Sequence, residues 1–206
     1  MANNIDLVTL FKAVTDNLSR QQSSLNEADT YNHDHGDHMV QIFQLIQSAV
    51  EKKSDLPVAD QLAYASKEVE KKAESGSGKL YAEGLANAAK SLTGSNNLTA
   101  DNVGVLVKSL LNVEDKGGSE KSGGLLGGLL STLAGGDDSK DQKLGMDDLL
   151  RAGLAFYQSK QDGDSNTEAV MDALMAASPL GESAHRSQSG SIVAATLMDF
   201  AKNLTN

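Results

Sequence analysis

The chain has no cysteine, no tryptophan and only two prolines among its 206 residues. The lack of cysteine excludes disulfides and thiolate metal sites. It fits a reducing compartment, and a cytoplasmic protein is expected. So few prolines leave helices free to run without breaks. Aromatic residues make up only 4%, so a core has to be built from Leu, Ala, Val and Met. Positive charge is also short: 18 Lys and Arg stand against 28 Asp and Glu, a formal net charge of −10. Nucleic-acid backbones and anionic membrane surfaces attract clustered Lys and Arg, so neither is an expected partner. No apolar run approaches the roughly 20 residues that cross a bilayer. The opening MANNIDLVTLFKAV has no basic stretch of the kind that begins a signal peptide.

What is present is helical periodicity. Apolar spacing predicts eight segments: residues 5–19, 37–53, 57–73, a fourth following the turn at 75–78, then 99–111, 146–159, 167–177 and 191–204. Asn3 or Asn4 is the expected cap of the first and Thr99 of the fifth, and Pro57 opens the third. Residues 116–145 differ, with nine glycines, four pairs of them adjacent. Each disfavours a helix by about 1 kcal/mol relative to alanine, so this stretch reads as a long connection carrying an apolar turn around Leu125–Leu133. No strand-like alternation occurs. The expectation is one all-α domain spanning 1–206 with a glycine-rich insertion at about 116–145.

The densest chemistry lies at 29–39: Asp29, Asn32, His33, Asp34, His35, Gly36, Asp37, His38 and Met39. Carboxylates on a tight turn suit Mg²⁺, which takes oxygen ligands and shares them with a substrate phosphate. The start of the following helix offers unpaired N–H groups and partial positive charge, which suit the phosphate itself. A capping loop is the plainer alternative, since one Asp or Asn caps a helix. Two more polar turns lead into helices. Ser75-Gly76-Ser77-Gly78 reads as a phosphate cradle or a plain connection. His185-Arg186-Ser187-Gln188-Ser189-Gly190 brings an arginine that meets a phosphate or faces water.

Five stretches, in order, resemble the nucleotide-binding L subunit of dihydroxyacetone kinase. SGSGKLYAEGL at 75–85 is similar to that family's ASGPLYG segment, and DHGDHMVQIF at 34–43 to its DHGxNM stretch. SLNEAD at 24–29, VMDALMAA at 170–177 and HRSQSGSIVAATLM at 185–198 resemble the family's LxxLD, TMIDAL and HQDPGAxSxALM. The resemblance implies an up-and-down barrel of about eight antiparallel helices. It implies ADP or ATP held at one end through Mg²⁺ by aspartates, and a substrate-binding kinase subunit or phosphoryl-donor protein as partner. A homodimer is also compatible with it.

Carried onto this chain, the resemblance places metal on Asp29, Asp34 and Asp37, and nucleotide on His35, Gly36, His38, Met39, Ser77, Gly78, Ser189 and Gly190. Arg186 stands in for the family's catalytic arginine, because the lid before the last helix is shorter here. The metal loop departs from the family. In one alignment Asn32 occupies the middle carboxylate position, and in the other Asp37 is the third acid. His38 replaces an asparagine and Lys79 a proline. Three readings follow: a Mg-nucleotide phosphotransferase subunit acting on a small hydroxy-ketone, a non-catalytic binding module of the same fold, or a transition-metal site on His33, His35 and His38 with Asp34.

Overall fold

The structure, a computed structural model, describes residues 5–112, 172 and 174–203. The all-α class holds: among the described residues there are seven α-helices, one 3-10 helix and no strand, only a single bridge between Ile5 and Leu98. That bridge moves the first cap. The Ile5 N–H donates to the Leu98 carbonyl at 2.7 Å, which holds the chain extended past the expected cap positions. Asp6 caps α1 (Leu7–Arg20) instead, its carboxylate taking the Thr9 N–H at 2.8 Å.

The helix α2 (Gln22–Ala28) went unforeseen because it buries only Leu25 and so has no apolar period. The helix α3 (His35–Glu51) buries Met39, Ile42, Phe43, Ile46 and Val50 as the spacing predicts, but starts two residues earlier than expected. Pro57 stands just before α4 (Val58–Lys72), and Ser75 caps α5 (Gly76–Ser91) by accepting the Gly78 N–H at 3.1 Å. Thr99 precedes α6 (Ala100–Leu110), its N–H donating to Asn102 Oδ1 at 2.7 Å. A 3-10 turn (Pro179–Glu182) leads into α7 (Ala184–Asn203). The expected last helix began at 191, so the polar turn of 185–190 is corrected: it forms the first turns of α7. The expected helix at 146–159, the glycine-rich segment and most of the helix at 167–177 lie outside the described residues.

Packing follows chain order. The contacts run α1 to α3, α3 to α4, α4 to α5 and α5 to α6, and α7 lies against both α6 and α1. The core is fully buried Leu, Val, Ile and Met around one aromatic line, with Phe43 between Phe11 (6.3 Å) and Tyr81 (5.0 Å, edge to face). A single Leu or Phe truncated there would cost roughly 2–5 kcal/mol. The starts of α3, α5 and α7 share one end of the bundle. The starts of α1, α4 and α6 share the other, where a cavity of about 390 Å³ is lined by residues including Asp6, Ser54, Gln61 and Asn97. Among the described residues no helix is long and apolar enough to cross a membrane.

Candidate functional site

At the first end, three helix starts converge. The approach from α2 ends in Asp29, whose side chain is buried although it carries a charge. Its carboxylate accepts the Tyr31 N–H at 3.1 Å and lies 3.9 Å from His185 Nδ1. Burial works against that charge, but the Tyr31 N–H, the His185 ring, the Asp34 N–H and the His35 ring outweigh it and hold the carboxyl below its usual range. The loop then exposes Tyr31, Asn32 and His33. His33 closes it in the left-handed region, at φ 58°, with its Nδ1 3.4 Å from the Asn26 carbonyl.

The start of α3 is capped from an unexpected direction. Asp34 precedes the helix without capping it. The amide oxygen of Asn26, on α2, accepts the N–H groups of Gly36 (2.6 Å) and Asp37 (3.2 Å). The Asn26 amide nitrogen and Gln22 both donate to the Asp37 carboxylate, at 3.0 and 2.6 Å, and these bonds hold its pKa below the usual range. Two of the N–H groups expected to meet a phosphate are therefore taken, and Asp37 is turned toward α2. Gly36 is there for packing: a Cβ on it would stand 2.2 Å from the Gln22 carbonyl oxygen. Met39 is wholly buried in the core. His38 Nδ1 lies 3.2 Å from Asp34 Oδ1 as an ion-pair contact, and among the described residues that buried oxygen has no hydrogen-bond partner.

His35 is the hub. It is buried, its Nε2 lies 2.9 Å from Ser189 Oγ, and its ring packs edge to face on His185 at 4.6 Å. Burial first, then the neighbouring His185 ring, push its pKa down to about 4 against the pull of Asp29. The imidazole is neutral near pH 7. The three loop histidines thus face three different partners. Among the described residues no group of three or more His, Asp or Glu could hold a metal ion by itself.

The α5 start is the freer of the two. Ser75 Oγ takes the Gly78 N–H, and Gly78 packs on Ala73. Among the described residues no acceptor meets the N–H groups of Gly76 and Ser77. Arg186 covers this turn: a Cβ built on Gly76 would lie 3.0 Å from Arg186 Nη2. The Nε of Arg186 is buried and has no hydrogen-bond partner among the described residues. Ser189 and Gly190 lie past the first turn of α7, so their N–H groups belong to the helix ladder, and Gly190 makes room for the Met175 sulfur. Ser189 contributes its hydroxyl alone.

The structure therefore brings together Asp29, Asp34, His35, Ser189 and, beside them, Arg186 with the turn at 75–78. It does not gather Asp37, Met39, Gly78 and Gly190 as ligand-facing groups. Sequence reasoning missed Asn26, since a cap reaching across ten residues leaves no local spacing to find. It named His185 within the third polar turn but gave it no role, and His185 is half-buried between Asp29 and His35.

The convergent end includes two motifs quoted above, DHGDHM and SGSG, and both lie inside a family-model match. No curated protein matches the chain. The DAK2 domain model matches residues 33–187, and the chain belongs to that family, the L-subunit-type domain of dihydroxyacetone kinases.

Proposed function

We propose that this chain binds the polyphosphate of ADP or ATP where α3, α5 and α7 converge. It serves as a phosphotransferase subunit whose small hydroxy-ketone substrate is held by a partner subunit. The observation that carries the reading is Arg186 over the first turn of α5, where among the described residues its buried Nε and the N–H groups of Gly76 and Ser77 have no partner. A buried guanidinium nitrogen without an acceptor is costly. A phosphate oxygen would relieve it while also meeting the helix start.

The donor set fits a magnesium ion shared with phosphate rather than one caged by protein. Mg²⁺ is ordinarily held by one or two carboxylates plus substrate oxygens. Asp29 is a buried carboxylate, and among the described residues the Asp34 Oδ1 is buried without a hydrogen bond. These two would hold the ion, with Asn32 at the margin. Bound there, it would neutralise phosphate charge. The chain's own part is positional, as phosphoryl transfer demands: Arg186 and the N–H groups of Gly76 and Ser77 orient the distal phosphate, and Ser77 adds a hydroxyl.

Calorimetry with ADP tests this. Binding is expected with Mg²⁺, weaker without it, and weaker again in Asp34→Asn. Arg186→Ala is expected to lose about 10- to 100-fold in affinity, since a hydrogen bond to a charged group is worth about 1.5–3 kcal/mol. A wild-type chain that binds no ADP in the presence of Mg²⁺ sinks the reading. A second reading, nucleotide binding without turnover, is favoured by one feature: Asn26 fills the α3 start and draws Asp37 away. Phosphoryl transfer assayed with the partner subunit separates the two.

A further inference from the structure

The hydroxyl of Ser189 sits between a carbonyl oxygen and an imidazole nitrogen and has one proton. Its side chain is fully buried. Its Oγ lies 3.1 Å from the Arg186 carbonyl, one turn back on the same helix, and 2.9 Å from His35 Nε2. A carbonyl only accepts, so that contact is a hydrogen bond only if Ser189 donates its proton there. The lone pairs of the oxygen then face His35, and Nε2 must carry a hydrogen. In the opposite arrangement the serine proton points at Nε2, and the Arg186 contact is left with no hydrogen at all. Only the first arrangement satisfies both short contacts.

We propose that Ser189 is a positioning residue that locks His35 as the Nε2–H tautomer, leaving Nδ1 as a hydrogen-bond acceptor. The consequence reverses the role given to His35 by its place at a helix start. An acceptor nitrogen cannot donate to a phosphate oxygen, which is itself only an acceptor. His35 instead takes an O–H or N–H. In the nucleotide site of the preceding section, on which this consequence rests, that means a water or a hydroxyl beside the phosphates, while Arg186 and the α5 start handle the charge. The lock also fixes the ring plane against His185, 4.6 Å away, and through it the side of Asp29 that His185 meets.

Long-range ¹H–¹⁵N correlation spectra of the full-length, histidine-labelled protein at neutral pH read the tautomer directly. His35 is expected to show a protonated Nε2 and an unprotonated Nδ1. In Ser189→Ala the ring is expected to become a mixture of tautomers, and ADP affinity to fall about fivefold, the scale of one neutral hydrogen bond. Ser189→Thr, which keeps the hydroxyl, is expected to restore the wild-type pattern. A wild-type His35 protonated at Nδ1, or at both nitrogens, overturns the proposal without recourse to any variant. A tautomer unmoved in a folded Ser189→Ala overturns the part assigned to Ser189. The expected tautomer in a protein that binds no ADP supports the lock and overturns only the nucleotide reading.

Discussion

Asn26 caps a helix to which it does not belong: its amide oxygen lies 2.6 Å from the Gly36 nitrogen, ten residues further on and across the whole acidic loop. The same amide ties down Asp37 through its nitrogen. One side chain thus satisfies two N–H groups at the start of α3 and one carboxylate, and it joins α2 to α3 where the loop 29–34 leaves and returns. The loop geometry depends on that joint, and so do Asp29 and Asp34.

Asn26→Ala is expected to destabilise the fold by about 1–2 kcal/mol, the usual cost of deleting a good helix cap. The Asp37 pKa should rise toward its ordinary value in the same variant, because the Asn26 side chain is the first cause of its depression. Chemical denaturation gives the first and carboxyl NMR titration the second. A variant as stable as wild type, with Asp37 unmoved, would show that α3 is capped by something else.

Two glycines of the site separate packing from ligand binding. Gly36→Ala would place a carbon 2.2 Å from the Gln22 carbonyl and 2.7 Å from Asn26 Oδ1. The carbonyl is backbone and cannot swing aside, so a loss of roughly 1–3 kcal/mol is expected. Gly76→Ala meets only the far end of the Arg186 side chain, at 3.0 Å. That group can move, and alanine favours a helix more than glycine does, so folding stability should hold or rise. ADP affinity should fall, because Arg186 is displaced from the α5 turn. Thermal melts and calorimetry on the two variants give opposite orderings if this is right.

The helices were largely legible in the sequence because burial imposes a period: α3 places Met39, Ile42, Phe43, Ile46 and Val50 inward as their spacing requires. What burial does not mark was lost. The helix α2 has one buried residue, and after Ala184 the first turn of α7 runs through His185, Arg186, Ser187 and Gln188, none of them apolar. The clustering of Asp29, Asp34 and His35 showed where polar chemistry would gather, since those residue types crowd one short stretch. It did not show which way each would face. Asp37 turns to α2 because two amides wait there, and His35 turns inward because Ser189, 154 positions later, is in reach. Such pairings are made by packing between helices, and no local pattern encodes them.

Tyr81 presents a buried hydroxyl with no hydrogen-bond partner among the described residues, packed on Phe43, and burial raises its pKa. An unsatisfied buried polar group costs about 1–3 kcal/mol. Removing the oxygen keeps the ring and its aromatic contact. Tyr81→Phe is therefore expected to stabilise the protein, by about 1 kcal/mol, rather than leave a damaging void. A clear loss of stability in urea unfolding would mean that the hydroxyl has a partner in solution, a water being the first candidate.

The last expectation concerns acid. His35 is pushed down to about 4, first by burial and then by His185, while Arg186 and His38 add to the push and Asp29 opposes it. In the unfolded chain an ordinary histidine protonates near pH 6.5. Between those values the unfolded state binds more protons than the folded one, so stability rises with pH across the window. The contribution is whole above about 6.5 and is lost progressively as pH falls toward 4. A difference from 6.5 to about 4 corresponds to about 3 kcal/mol at most, since one pKa unit is worth 1.36 kcal/mol. The depressed carboxyls of Asp29 and Asp37 titrate below the usual carboxylate range, so their losses come at lower pH. His35→Gln should therefore flatten the stability profile between pH 6.5 and 4 and leave the fall at lower pH in place. Denaturation midpoints measured at half-unit steps decide it: parallel profiles for the two proteins would mean that His35 stays solvated and titrates normally in the folded chain.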